Sequence, residues 1–202
     1  MSKWVGEQYC TNWESLYGLE TICFRLPNVY GPRQMPHGEG SAIAIFFSLA
    51  IQNEVIEIHG SGEQTRDFIY VMDVAFAIYR ASQSFLTGTY NLSTNSETSV
   101  QQILHDLAAL HGPLNTTHIA ARPGHIQHSS LNNEAIKKML DWTPFYSVEQ
   151  GLAKTYEWAK QQADEQQKAS IKKEKKKKQQ RPGWLLTSKP YIENIAFFLL
   201  LS

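Results

Sequence analysis

The chain has 202 residues, 42% of them hydrophobic and 19% charged, and its 19 basic and 19 acidic side chains give a formal net charge of zero. This is the composition of one ordinary globular domain plus a tail, not of a disordered chain. A balanced charge also excludes recruitment of nucleic acid or an acidic partner by a global field.

The elements can be taken in chain order. Ser2 as a cap, with Trp4, Val5, Gln8, Tyr9, Trp13 and Leu16 recurring at helical spacing, predicts a helix over 2–17. Gly18 stands at the usual stop. Residues 21–26 (TICFRL) read as a buried strand, and Pro27, Gly31, Pro32 and Pro36 then predict an irregular loop. Residues 41–52 are apolar nearly all round, which predicts a buried helix. Residues 55–59 alternate like a strand and stop at the turn Gly60-Ser61-Gly62. A short strand follows at 68–70, and Asp73 starts a helix to about Ser82. Residues 90–92 make a strand, and Thr98 or Ser99 caps a helix that Gly112-Pro113 stops. A strand at 118–120 and a helix opened by Asn132 or Asn133 come next. Val148, Leu152, Thr155, Tyr156 and Ala159 line one face of the last regular helix. Helices alternating with strands indicate an α/β fold.

From Gln161 the composition turns to Gln, Lys, Glu, Asp and Ala, a solvated helical extension or a linker. Much of the lysine falls at 172–178, so the folded body is mildly acidic. The end of the chain, 195–201, is apolar but far shorter than the ~20 residues of a spanning helix. Two readings stay open. One is the start of a membrane helix with the lysines as its cytoplasmic flank and Trp184 and Tyr191 at the interface. The other is a soluble tail whose apolar end packs on the body. The lysine run lacks interleaved aromatics, which argues against a nucleic-acid patch. Cys10 and Cys23 lack ligand spacing and read as reduced thiols, and the N-terminus has no apolar core of signal-peptide length.

A dinucleotide-binding turn needs a G-x-G-x-x-G triplet between a strand and a helix. Gly38/Gly40 and Gly60/Gly62 have no third glycine in register, so no NAD site is visible in this sequence. Four segments do carry chemistry in combination: Ser2-Lys3 with Glu7; residues 25–34 (RLPNVYGPRQ); residues 60–74 (GSGEQTRDFIYVMDV); and Arg122-Pro123-Gly124. Their order and spacing resemble the NAD-dependent epimerase/dehydratase family, the extended short-chain dehydrogenase/reductase group, over roughly residues 1–162. Within that family the resemblance is to UDP-glucose 4-epimerase-like enzymes.

The resemblance implies a fold, a cofactor and a site. The fold is the C-terminal, substrate-binding half of an extended Rossmann-type dehydrogenase with the last helix–strand unit of its Rossmann sheet. Residues 1–36 would be that remnant, 37–162 the nucleotide-sugar domain, 163–190 a linker and 191–202 an apolar stub. Lys3 takes the Lys position of the catalytic Tyr-x-x-x-Lys pair and also contacts the NAD ribose; the Tyr would fall two positions ahead of Met1. Such a lysine favours the phenolate, which makes the Tyr a base near neutral pH. Asn28 lies near the cofactor and the diphosphate of the sugar nucleotide. Arg66 and Arg122 clamp that diphosphate with charge-assisted bonds. The backbone of Glu57, Ile58 and His59 brackets the uracil.

The expected activity is nucleotide-sugar epimerisation, in a piece inactive alone. The alternatives are a UDP-sugar-binding module or partner subunit without redox activity, or a dehydratase or decarboxylase of the same family. A cytoplasmic UDP-sugar-binding protein is expected, with homodimerisation and a membrane tether left open. Asp67 and Asp73 read as structural, Asp67 as a partner of Arg66 or nearby backbone and Asp73 as a helix cap. His125 and His128 lack a third metal ligand and read as loop residues, although relatives often carry Asp at the position of His125. Trp4, Val5, Ile22 and Phe24 are expected to expose apolar surface, which predicts an aggregation-prone chain.

Overall fold

The computed structural model describes residues 2–36 and 42–179. These belong to two compact units, Met1–Lys160 and Gln161–Ser202.

The first unit opens with α1 (Ser2–Tyr17), which Gly18 stops in the left-handed region, its N–H donating to the Glu14 carbonyl at 2.9 Å. β1 (Ile22–Arg25) follows and pairs in parallel with β6 (Gly88–Asn91). The segment expected as an irregular loop contains a strand instead. β2 (Asn28–Tyr30) pairs in parallel with β5 (Phe68–Tyr70), directly after Pro27. Tertiary pairing overrides the local proline signal there, because Pro27 itself need not donate to the ladder. Gly31 then lets the chain pass close to α3, since a Cβ at that position would meet Val71 Cβ at 3.0 Å.

α2 (Ala42–Ile51) buries Ile43, Phe46 and Phe47, as its all-round apolarity requires. β3 (Ile56–His59) alternates buried and outward residues and pairs in parallel with β8 (Thr116–Ile119). β4 (Thr65–Arg66) pairs antiparallel with β7 (Thr98–Ser99). β5 passes straight into α3 (Val71–Ser82), and β7 straight into α4 (Val100–His111). Ser99 caps α4, its Oγ accepting from Gln102 N at 3.0 Å. α5 (Glu134–Leu140) and α6 (Val148–Gln179) complete the order.

β5 divides the interior. Phe68 and Tyr70 join a core with Tyr30, Phe47, Ile56, Leu107 and Leu152. Ile69, on the opposite face, joins Val74, Leu92, Ile136 and Trp142. This is the period of two expected of a strand buried on both faces. Ile22 and Phe24 pack against the second core, so β1 is not left bare as the sequence suggested. Trp4 (62% exposed) and Val5 (42%) on α1 are exposed as expected.

Two carboxylates tie distant segments together. Asp73 is fully buried and is not the helix cap expected of it. It lies in the first turn of α3 and accepts from the amides of Phe145 at 2.8 Å and Tyr146 at 3.4 Å. Burial raises its carboxyl above the ordinary value, against the lowering effect of those two amides. The other, Asp67, belongs to the candidate site.

In the second unit α6 runs as helix to Gln179. Among the described residues no helix is long and apolar enough to cross a membrane. The apolar stub expected at 191–202 lies outside the described residues.

Candidate functional site

The parallel pairs end in the segments that carry the residues singled out in the sequence. This is where open α/β sheets bind ligands, beyond the carboxyl ends of their strands. β3 ends at His59 and β8 at Ile119, side by side in register. Beyond His59, Gly60 (φ 72°) and Gly62 (φ 81°) reverse the chain into β4 and so place Arg66. That turn is closed from outside. A Cβ on Gly62 would meet Gln101 Cγ at 2.9 Å and Ile58 Cγ2 at 3.1 Å, while Gln101 Nε2 donates to the Ser61 carbonyl at 2.6 Å. Any side chain at Gly62 would have to displace Gln101 or Ile58, at a positive φ that favours glycine.

Beyond Ile119 the chain turns at Arg122, where the His125 amide donates to the Arg122 carbonyl at 3.3 Å. The Thr65 amide fastens this loop to β4 by donating to the Gln127 carbonyl at 2.8 Å. The His59 and His125 rings meet edge to face with centroids 6.1 Å apart. Glu57 points outward while Ile56 and Ile58 are buried, so β3 is anchored by its isoleucines. On the other side, β1 leads through Pro27 to Asn28, whose amide donates to the Asp67 carbonyl at 3.0 Å. Asn28 is exposed at the start of β2, opposite Phe68. Hydrogen bonds and adjacent chain thus link Asn28, Asp67, Arg66, Thr65 and the Arg122 loop in a continuous series.

Asp67 decides what Arg66 can do. It is 1% exposed and accepts four hydrogen bonds. Oδ1 takes the amide of Thr94 at 3.1 Å and its hydroxyl at 2.6 Å. Oδ2 takes the amides of Asn95 at 3.1 Å and Leu131 at 3.3 Å. Of the two partners the sequence suggested, Asp67 has taken the backbone and not Arg66. Arg66 gives one hydrogen bond to the Thr65 carbonyl at 2.6 Å. Among the described residues no carboxylate pairs with Arg66 or Arg122. Two guanidinium forks without carboxylate partners suit a polyanion such as a diphosphate.

Lys3 stands apart from this series, exposed in the first turn of α1. The described residues do not form a cradle for NAD. Gly60 and Gly62 join two strands, while β5 and β7 enter their helices with no glycine turn. Among the described residues no strand-to-helix turn is glycine-rich, and Gly38 and Gly40 lie outside them. Lys3 and Asn28 remain two isolated donors, too few to hold a dinucleotide.

Sequence reasoning missed one cluster. The Thr65 hydroxyl donates to Glu97 and lies 3.0 Å from His128 Nδ1, which is 3.3 Å from Glu97 Oε2. His128 therefore does more than fill a loop. A cavity of about 340 Å³ lies beside it, lined by Thr65, Glu97, Ser99, Gln102, Asp106 and Glu149 among others. Of the residues noted in the sequence, Thr65 within the segment 60–74, Thr98 and Ser99 at the start of α4, and Val148 line this cavity, while Arg66 and Arg122 do not. Glu97 reaches Thr65 through the pairing of β4 with β7, which no local motif announces.

Residues 1–93 match the family described as the NAD dependent epimerase/dehydratase family. A UDP-glucose 4-epimerase of Mycolicibacterium smegmatis is 35% identical over 157 residues, 77% of this chain and 50% of that protein. The dTDP-glucose 4,6-dehydratase 1 of Escherichia coli is 30% identical, over 78% of this chain and 45% of its own length. Among solved structures, UDP-glucose 4-epimerase of Thermotoga maritima with UDP-glucose matches with a TM-score of 0.74 and 33% identity, covering 79% of this chain and 52% of that one. The chain spans about half the length of the curated relatives it matches. The α/β fold expected from the sequence is the fold these neighbours share.

Proposed function

Since the chain belongs to the NAD dependent epimerase/dehydratase family, we propose that it carries the sugar-nucleotide-binding part of a UDP-sugar 4-epimerase. Arg66 and Arg122 hold the diphosphate as two positive forks. Asn28 lies beside it at the head of β2. The backbone of Glu57, Ile58 and His59 borders the base, which fits a strand whose two isoleucines are buried while its edge stays regular. Lys3 is the lysine of the catalytic pair, and NAD is the cofactor of the whole reaction. The Arg66–Arg122 site binds and orients; the hydride step draws on further groups.

The observation that carries this reading is the state of Arg66. A buried aspartate stands next to it in sequence, yet that aspartate is fully engaged with backbone amides and a hydroxyl. A guanidinium that pairs with no carboxylate among the described residues, beside the end of β3, is arranged for an anionic ligand. The relative of known structure in Thermotoga maritima holds UDP-glucose, which supports the choice of ligand.

The test is calorimetric titration of the full chain with UDP-glucose, with glucose as the uncharged control. Saturable heat with UDP-glucose alone is the expected result. Absence of heat from a protein with a cooperative unfolding transition would overturn the proposal.

A further inference from the structure

α1 lies on β1 through three opposed pairs. Glu7, Cys10 and Glu14 recur at the spacing of one helix face, and Thr21, Cys23 and Arg25 alternate along the strand segment. Arg25 Nε donates to Glu7 Oε2 at 2.9 Å, and a second guanidinium nitrogen reaches Oε1. At the other end the Thr21 hydroxyl lies 3.5 Å from both Glu14 Oε2 and the Cys10 carbonyl. Between these two ties Cys10 holds the middle position of the helix face and Cys23 the middle position of the strand face. Both are half-buried and both are free thiols. The ion pair on one side and the threonine on the other hold the two cysteine positions between them.

We propose that Cys10 and Cys23 are a redox modification site, a thiol pair that closes to a reversible intramolecular disulfide and clamps α1 to β1. The oxidant is a low-molecular-weight disulfide such as oxidised glutathione. A Cys10 thiolate attacks one of its sulfurs, forming a mixed disulfide and releasing one glutathione thiolate. The Cys23 thiolate then attacks the Cys10 sulfur and expels the second. Two S–H bonds are lost and one S–S bond forms, while the oxidant is reduced to two thiols.

Burial, the Cys10 neighbour and the carboxylates of Glu7 and Glu14 push the Cys23 thiol up to about 11. Closure is therefore slow at neutral pH and accelerates as pH rises. The clamp matters because α1 has no fully buried residue of its own, so that the disulfide would be its strongest attachment.

The experiment incubates the full chain with a glutathione redox buffer, then traps free thiols and measures intact mass. A Glu-specific digest cuts at Glu14 and Glu20, which separates the two cysteines. The expected result is loss of both thiols, a mass lower by about two daltons, and the two peptides joined within one chain. Cys10→Ser and Cys23→Ser should each stop at a single glutathione adduct. Repeating the equilibrium in concentrated urea should weaken disulfide formation by at least about tenfold, because only the folded ladder opposes the sulfurs. The proposal is overturned by both thiols persisting, by adducts on each without a joined peptide pair, by links between chains instead, or by an equilibrium unchanged in urea.

Discussion

Gly151 gives the most direct test of how the first strands are joined to the last helix. Tyr30 is 1% exposed, and its hydroxyl donates to the Val148 carbonyl at 3.1 Å. Phe68 and Tyr70 stand against the ring, with centroids 6.3 Å and 5.7 Å away. A Cβ on Gly151 would overlap the Tyr30 hydroxyl and lie 2.8 Å from Cζ and 3.0 Å from Cε2. The backbone at Gly151 is ordinary helix, so alanine there would gain about 1 kcal/mol of propensity. Overpacking a ring that cannot retreat costs about 1–3 kcal/mol or more. Gly151→Ala should therefore destabilise by about 2 kcal/mol despite the better helix former. Tyr30→Phe alone should cost about 1 kcal/mol for the lost hydrogen bond. Phenylalanine also removes the atom that a new methyl would strike. The double variant should then fall short of the sum by about 1 kcal/mol or more. Urea denaturation of the four proteins measures this. A stabilising Gly151→Ala, or two effects that simply add, would refute the packing argument.

Three other outcomes follow from the structure. Asp67→Ala strands three amides and should cost about 2–5 kcal/mol in the same assay; a cost below about 0.5 kcal/mol would show that water replaces the carboxylate. Ser99→Ala removes the cap of α4 and should cost about 1 kcal/mol, read as a lower denaturation midpoint. Asp73 has a raised carboxyl pKa, so its protonated form favours the fold. That stability is whole below the ordinary carboxylate range and is lost as pH rises through the raised value. Asp73→Asn should flatten the stability profile from about pH 4 upward; an unchanged profile would contradict the burial.

The sequence announces the elements whose cause is local. α1 is framed by its apolar recurrence and Gly18, and α4 by Ser99 and Gly112. β2, β4 and β7 are not announced, because β2 follows Pro27 in a proline- and glycine-rich segment and β4 and β7 have only two residues each. Their cause is pairing with segments about 30–40 residues away, as Asn28 with Phe68 and Arg66 with Thr98. The two aspartates show the same limit. Asp73 has a cap's place in the sequence but its partners lie 72 and 73 residues on, at Phe145 and Tyr146. Arg66 and Arg122 were legible only through the motifs around them. That Asp67 is taken up by backbone and not by Arg66 depends on Thr94, Asn95 and Leu131, which no local pattern connects to it. Cys10 and Cys23 are free thiols, as their spacing suggested; that both fall between the same two ties needs the helix face and the strand face together.

The central claim is that Arg66 and Arg122 form a diphosphate clamp. The measurement that tests it is the affinity for UDP against UMP, in the unaltered chain and in Arg66→Ala and Arg122→Ala. The clamp predicts UDP bound at least about tenfold more tightly than UMP, and most of that preference lost in each variant. Equal affinity for the two nucleotides, or a preference that survives both substitutions, would contradict it.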